Sequence, residues 1–214
     1  MYKTYIFDLD GTLLDTLDDL ASSVNYALRK AGLPERTLDE VRAFVGNGVR
    51  KLMVRSVPGG DGHAGFENIL SSFREHYSRH DKEQTRPYPG VVEMLRALKS
   101  RGARIAVVSN KFNSATQSLC KYYFDGLVDV AVGEHDGVEK KPAPDIVNEA
   151  LDLLCVGKED AVYVGDSDVD IMTARNSGMP CISVLWGFRD RPFLEDAGAR
   201  VFVNTPAELV CIDG

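Results

Sequence analysis

The chain has few cysteines, no long apolar run and no excess of basic residues, and each shortage removes a class of protein. Cys120, Cys155, Cys181 and Cys211 are the only four cysteines in 214 residues. They stand far apart, without the paired spacing of a zinc cage or a redox motif. Three of them lie in apolar runs, so they are expected to be small buried hydrophobes. No stretch approaches the roughly 18 apolar residues of a membrane span, so no membrane partner is expected. Lys and Arg number 25 against 32 Asp and Glu, for a net charge of −7 and a pI near 5.1. The basic residues are dispersed, which argues against nucleic acid or an anionic lipid surface as main partner. The opening MYKTYIFDLDGTLLD places Asp8 and Asp10 where a signal peptide needs unbroken apolar sequence. With the unpaired cysteines, this predicts a reducing cytoplasm. Internal repeats and low-complexity tracts are also missing.

What remains is an ordinary globular composition, 44% hydrophobic and 27% charged, able to bury a full core. Short apolar, β-favouring runs occur at 4–9, 104–108, 128–132, 161–164, 181–185 and 201–203. Helical patterns lie between several of them. Val91, Met94, Leu95 and Leu98 share one face before Gly102, and two more helices are expected over 144–154 and 168–177. Strands alternating with helices imply parallel strands joined by right-handed crossovers. One stretch breaks the alternation. Between Thr16 and Arg86 only helical patterns appear, including the capping-box sequence Thr37-Leu-Asp-Glu40. The predicted fold class is therefore α/β, a doubly wound parallel sheet with a small all-helical domain inserted after the first strand. The expected division is 1–15 with 87–214 for the core and 16–86 for the insertion.

Four segments carry chemistry, each at the end of a predicted strand, where open α/β sheets bind ligands. Asp8-Leu-Asp10-Gly11-Thr12 places two carboxylates on one side of an extended segment. Read alone, it is equally well an acidic turn after a strand. Ser109-Asn110 offers a hydroxyl and an amide to a phosphoryl oxygen, or caps a helix. Lys141-Pro142 brings a cation into the crevice, or is a solvated loop lysine. Gly165-Asp166-Ser-Asp168-Val-Asp170 adds carboxylates, or is an acidic helix start. Their shared position at one sheet edge favours a site. Two carboxylates about 4 Å apart repel by about 4 kcal/mol at an effective dielectric of about 20. Asp8, Asp10, Asp166 and Asp170 together therefore call for a cation, and an all-oxygen acidic site suits Mg2+. His76 and His80 are one helical turn apart, but no third ligand is near, so a solvated helix face is expected.

In this order and setting, the segments resemble the motifs of the haloacid dehalogenase superfamily, in its phosphatase branch, over essentially the whole chain. Asp8-x-Asp10-Gly-Thr-Leu-Leu-Asp15 resembles the first motif, Ser109 the second, Lys141-Pro142 the third and Gly165-Asp166-Ser-x-x-Asp170 the fourth. The resemblance implies that Asp8 is a nucleophile forming an aspartyl phosphate and that Asp10 is the acid and base. It implies Mg2+ held by Asp8, Asp166 and the Asp10 backbone carbonyl, and a phosphoryl group held by Ser109 and Lys141. Asp170 would support Lys141. Thr12 and Asn110 are expected at the substrate, and the insertion would be a cap over the site.

Phe44-Val-Gly46-Asn47-Gly48-Val-Arg50, Arg86-Pro-Tyr-Pro-Gly90-Val and the segments from Trp186-Gly-Phe to Pro206-Ala-Glu-Leu resemble phosphoglycolate phosphatases. This implies 2-phosphoglycolate as substrate, with Gly46, Asn47, Gly48 and Arg50 in the leaving-group pocket. Arg50 is equally well an exposed helix arginine. Alternatives are a β-phosphoglucomutase-like sugar phosphomutase, a pyrophosphatase, a sugar phosphatase or, outside enzymes, a receiver-like phosphoacceptor. Such mutases usually carry valine in place of Thr12, which favours hydrolysis. The expected partner is a small phosphorylated metabolite, the protein acting as monomer or homodimer.

Overall fold

Every side chain of Thr4–Phe7 is buried in the computed structural model, which describes residues 2–212. That is what a strand covered on both faces requires. In chain order the elements are β1 (Thr4–Phe7), β2 (Leu14–Asp15), α1 (Leu17–Lys30), α2 (Leu38–Phe44), α3 (Val49–Ser56), α4 (Phe66–His80) and β3 (Arg86–Pro87). There follow α5 (Val91–Ser100), β4 (Arg104–Phe112), α6 (Asn113–Phe124), β5 (Val130–Glu134), α7 (Asp145–Leu154) and β6 (Ala161–Gly165). The chain ends with α8 (Asp168–Ser177), β7 (Cys181–Val184), α9 (Arg191–Asp196), β8 (Phe202–Val203) and α10 (Pro206–Val210). Two compact units result, Met1–Leu14 with Pro87–Gly214, and Asp15–Arg86.

The first unit is built on a six-stranded sheet in the order β5-β4-β1-β6-β7-β8, its strand pairs parallel. Alternation along the strands sorts the core into two layers. Tyr5, Phe7, Ile105, Val107, Val162 and Val164 face the layer that α5 and α6 cover. Ile6, Ala106, Val108, Ala161 and Tyr163 face the opposite layer, against α7. The strand sequence runs outward from β1 through β4 to β5, then returns to β6 on the other side. The reversal makes the carboxyl end of β1 a topological switch point, the place where such sheets bind ligands.

The second unit is all-helical apart from the ends of the β2–β3 pair. Leu20, Val24 and Leu28 of α1 and Leu70, Phe73 and Tyr77 of α4 are buried, and the two helices pack together. The capping box forms as read: Glu40 N–H donates to Thr37 Oγ1 at 3.2 Å and Thr37 N–H to Glu40 Oε2 at 2.7 Å. Buried Asp19 accepts from the N–H groups of Gln84 and Thr85 at 2.9 Å each, pinning the segment after α4 to α1.

Several expectations are corrected. β4 runs four residues beyond Val108, to Phe112. Helices α6, α9 and α10 gave no readable pattern. In α6 the buried face includes Thr116 among Leu119, Cys120 and Phe124, which masks the apolar period. Of the cysteines only Cys120 is buried, its thiol pushed up to about 12 by burial. Cys155 and Cys211 are exposed because they cap the ends of α7 and α10. His76 is not on a solvated face: it is half-buried, stacked between Tyr26 and His80 with centroids 4.2 Å apart in each pair.

Candidate active site

The site begins with how the chain leaves β1. Asp8 still belongs to the ladder, its N–H donating to the Val164 carbonyl at 2.9 Å. The next residues fold over one carbonyl, that of Leu9, which accepts from the N–H groups of Leu13 at 3.0 Å and Leu14 at 2.9 Å. Gly11 makes this turn with φ +88, and a Cβ there would meet Asp166 Oδ2 at 2.4 Å. The tight turn leaves Asp8 buried and Asp10 partly open.

Strand order brings the other segments to this point. Lys141 Nζ lies 2.8 Å from Asp8 Oδ1 and 2.8 Å from Asp170 Oδ1, with both its partners' side chains buried. Tyr163, inside β6, sends its hydroxyl to Asp170 Oδ1 at 3.0 Å and accepts from Lys141 Nζ at 3.1 Å. The other Asp170 oxygen accepts from the Ser167 hydroxyl at 2.6 Å and the Ser167 N–H at 3.1 Å. Asp170 therefore orients the lysine while closing the capping box of α8. Asp166 takes the Thr12 hydroxyl on Oδ1 at 3.1 Å and the Phe188 N–H on Oδ2 at 2.7 Å. Asn110 donates to the Lys141 carbonyl at 3.0 Å, and the Ser109 hydroxyl accepts from the Lys111 N–H at 3.2 Å.

Asp8, Asp166 and Asp170 each offer a carboxylate oxygen within 4.8 Å of the others. Burial, followed by the charge of Asp170, raises the Asp8 pKa well above the carboxylate range, although Lys141 pulls against both. Burial and Asp170 likewise raise Asp166 to about 7, offset in part by the Phe188 N–H, the Thr12 hydroxyl and Arg189. Burial opposes the Lys141 ammonium, but Asp170 and Asp8 outweigh it and raise its pKa. With Asp8, Asp166 and Asp170 all ionised, Lys141 leaves an excess of two negative charges within this cluster. A hard divalent cation fits that charge and donor set, and its binding would relieve the repulsion that raises both carboxyl pKa values.

The structure thus brings Asp8, Asp166, Asp170, Lys141, Ser109 and Asn110 to one sheet edge. The Asp10 carboxylate does not join the acidic cluster; both its oxygens contact Lys111 Nζ, at 2.9 and 3.0 Å. Thr12, expected to face the substrate, is fully buried with its hydroxyl on Asp166. In the helical unit, Arg50 is exposed, paired with Glu67 at 2.7 Å and lying over the Phe66 ring. Asn47 accepts from Arg55 at 2.7 Å, and Gly46 and Gly48 adopt φ of 121 and 82.

Lys111 and Tyr163 lie outside the residues expected at the site, and Trp186-Gly-Phe after β7 was expected only as a family likeness, with no place at the site. Tyr163 carried a signal, since a hydroxyl inside a buried strand must find a partner. Lys111 was hidden by the early end assigned to β4. The loop after β7 is fitted closely: Trp186 Nε1 donates to the Thr12 carbonyl at 2.9 Å, and a Cβ on Gly187 would lie 2.4 Å from the Gly11 carbonyl oxygen.

These features define a hydrolase of one superfamily. The haloacid dehalogenase-like hydrolase profile matches residues 5–184, and the chain belongs to that family. It is 35% identical over 187 residues to the phosphoglycolate phosphatase of Aquifex aeolicus, covering 87% of this chain and 86% of that one. Phosphoglycolate phosphatase 1 of Pseudomonas aeruginosa is 32% identical, with 99% and 80% covered. A crystal structure from Lactobacillus delbrueckii subsp. bulgaricus superposes with a TM-score of 0.93 at 38% identity, covering 98% and 97%. CbbY from Rhodobacter sphaeroides in complex with phosphate gives 0.78 at 27%, covering 98% and 96%. Among the described residues no helix is long and apolar enough to cross a membrane.

Proposed function

We propose that this chain is a Mg2+-dependent phosphatase that hydrolyses a small phosphomonoester, 2-phosphoglycolate, through an aspartyl phosphate on Asp8. The observation that carries the reading is the placement of Asp8 at the switch point, 2.8 Å from Lys141 and grouped with Asp166. A buried carboxylate beside a buried ammonium is held in one rotamer, as an in-line nucleophile must be. The relatives from Aquifex aeolicus and Pseudomonas aeruginosa are named phosphoglycolate phosphatases, and the related CbbY structure holds phosphate.

In the first step an Asp8 oxygen attacks phosphorus and the bond to the ester oxygen breaks. Asp10 gives its proton to that oxygen, which leaves as the alcohol. In the second step the Asp10 carboxylate takes a proton from water as it attacks phosphorus, freeing Asp8 and phosphate. Lys141, Ser109 and Asn110 hold the phosphoryl oxygens. Mg2+ held by Asp8, Asp166 and the Asp10 carbonyl would neutralise charge on those oxygens. In this reading the helical unit is a cap, and Arg50 with Gly46, Asn47 and Gly48 reads the substrate carboxylate.

The test is phosphate release with Mg2+ from phosphoglycolate, sugar phosphates and pyrophosphate, for wild type and Asp8→Asn. A preference for phosphoglycolate that disappears in the variant supports mechanism and substrate together. Release from another ester alone keeps the mechanism and replaces the substrate. Wild-type rates in Asp8→Asn overturn the nucleophile.

A further inference from the structure

We propose that Lys111 is a positioning residue that fixes the carboxylate of Asp10. This inference rests on the reading of Asp10 as the acid and base given above. Two lysines enter the crevice with separate duties. Lys141 faces Asp8 and Asp170, whereas Lys111 Nζ contacts both oxygens of Asp10, at 2.9 and 3.0 Å. Its side chain is 3% exposed and that of Asp10 is 16% exposed. An aspartate on the rim of a tight turn otherwise has three staggered wells to sample. A buried ammonium contacting both oxygens selects one of them.

The backbone around Lys111 is built to hold this aim. Between Val108 and Phe112 the register of β4 against β5 shifts, so Lys111 lies in an irregular part of the strand rather than in a free loop. Its N–H donates to Ser109 Oγ at 3.2 Å, and its carbonyl accepts from Thr116 Oγ1 at 3.3 Å. Gly133 of β5 packs so closely that a Cβ there would lie 2.5 Å from the Lys111 carbonyl oxygen. Gly133 is tied in turn by donating to Asn113 Oδ1 at 2.9 Å. The strand end is therefore fixed from both sides, and the lysine it carries reaches a carboxylate that Lys141 does not. A reacting group displaced by about 1 Å loses on the order of a hundredfold in rate, so such a clamp has a kinetic consequence.

A double-mutant cycle tests the proposal. Lys111→Met, Asp10→Asn and the double variant are compared by kcat and KM on an alkyl phosphate and on p-nitrophenyl phosphate. The latter's leaving group departs without a proton. Lys111→Met is expected to lower kcat for the alkyl ester by about 30- to 100-fold, with KM within about threefold. The aryl ester should lose less. In the Asp10→Asn background the same substitution should cost no more than about threefold, because its partner is already gone. Lys111→Arg, which can still contact both oxygens, should return to within about tenfold of wild type. If Lys111→Met does not fold, as judged by its thermal transition, the cycle is read with Lys111→Gln. No loss of kcat, equal losses on both esters, or a full loss repeated on Asp10→Asn overturns the positioning role. An inactive Asp8→Asn alongside that result leaves the mechanism standing, so only the role of Lys111 falls. An active Asp8→Asn removes both.

Discussion

Trp186 donates its indole N–H to the backbone carbonyl of Thr12 at 2.9 Å, and the Thr12 hydroxyl donates to Asp166. The chain's single tryptophan is thus one residue removed from a carboxylate of the acidic cluster. Trp186→Phe keeps most of the ring and loses the donor, at a cost of about 1–2 kcal/mol. Thermal unfolding should show that loss, and Mg2+ titration followed by the same transition should show weaker binding. Unchanged Mg2+ dependence would mean that the loop after β7 does not support Asp166. In the wild type, Mg2+ should also change the Trp186 emission, and Asp166→Asn should abolish the change.

Asp8→Asn should separate activity from stability. Turnover should fall at least about a thousandfold, as expected for loss of a nucleophile. The metal-free fold should become more stable at pH 8, because burial and Asp170 make the ionised Asp8 the unfavourable form. Lys141 keeps Asp170 as a partner at 2.8 Å. A lower melting temperature for the variant in chelator would contradict the assigned balance of charges.

The pH dependence of the metal-free protein follows from the same two carboxyls. Asp8 is raised and Asp166 is raised to about 7, so the folded state binds more protons than the unfolded chain. Their contribution to stability is then fully present below the ordinary carboxylate pKa, near 4, and is lost as pH rises through about 7. Mg2+ should therefore stabilise the protein more at pH 8 than at pH 5. Melting temperatures at the two pH values, with chelator and with Mg2+, check the sign.

Gly187→Ala should damage the site without removing a charged group. Its Cβ would lie 2.3 Å from the Asp166 Cβ and 2.4 Å from the Gly11 carbonyl oxygen, contacts relieved only by moving backbone. A loss of about 2 kcal/mol and at least tenfold in kcat is expected. Gly62→Ala is the control, since nothing lies within 4 Å of a Cβ there. Equal melting temperatures and rates for the two variants would remove the argument.

The helical unit offers a simpler test at Asp19. Asp19→Ala leaves the N–H groups of Gln84 and Thr85 without their buried acceptor, at a cost of about 2 kcal/mol or more. Hydrogen exchange at those two amides should accelerate in the variant, ahead of the rest of the chain.

The amino-acid sequence by itself determined the alternation of strands and helices, the helical insertion and the chemical groups at the strand ends. Those features are local: a period of apolar residues, a glycine after a helix, Asp8 and Asp10 two residues apart on extended backbone. It also determined the capping box at Thr37 and Glu40, since both partners lie within one helical turn. Tertiary structure decided which charge meets which. Lys141 faces Asp8 because β6, adjacent to β1, brings Asp170 and Tyr163 to the same edge. Lys111 faces Asp10 because β4 lies on the other side of β1 and continues to Phe112. Thr12 turned inward to Asp166, and Trp186 came to cover it from a loop 174 residues away. No local rule fixes such pairings, because they depend on strand order and on the fit of backbone against backbone at Gly11 and Gly187.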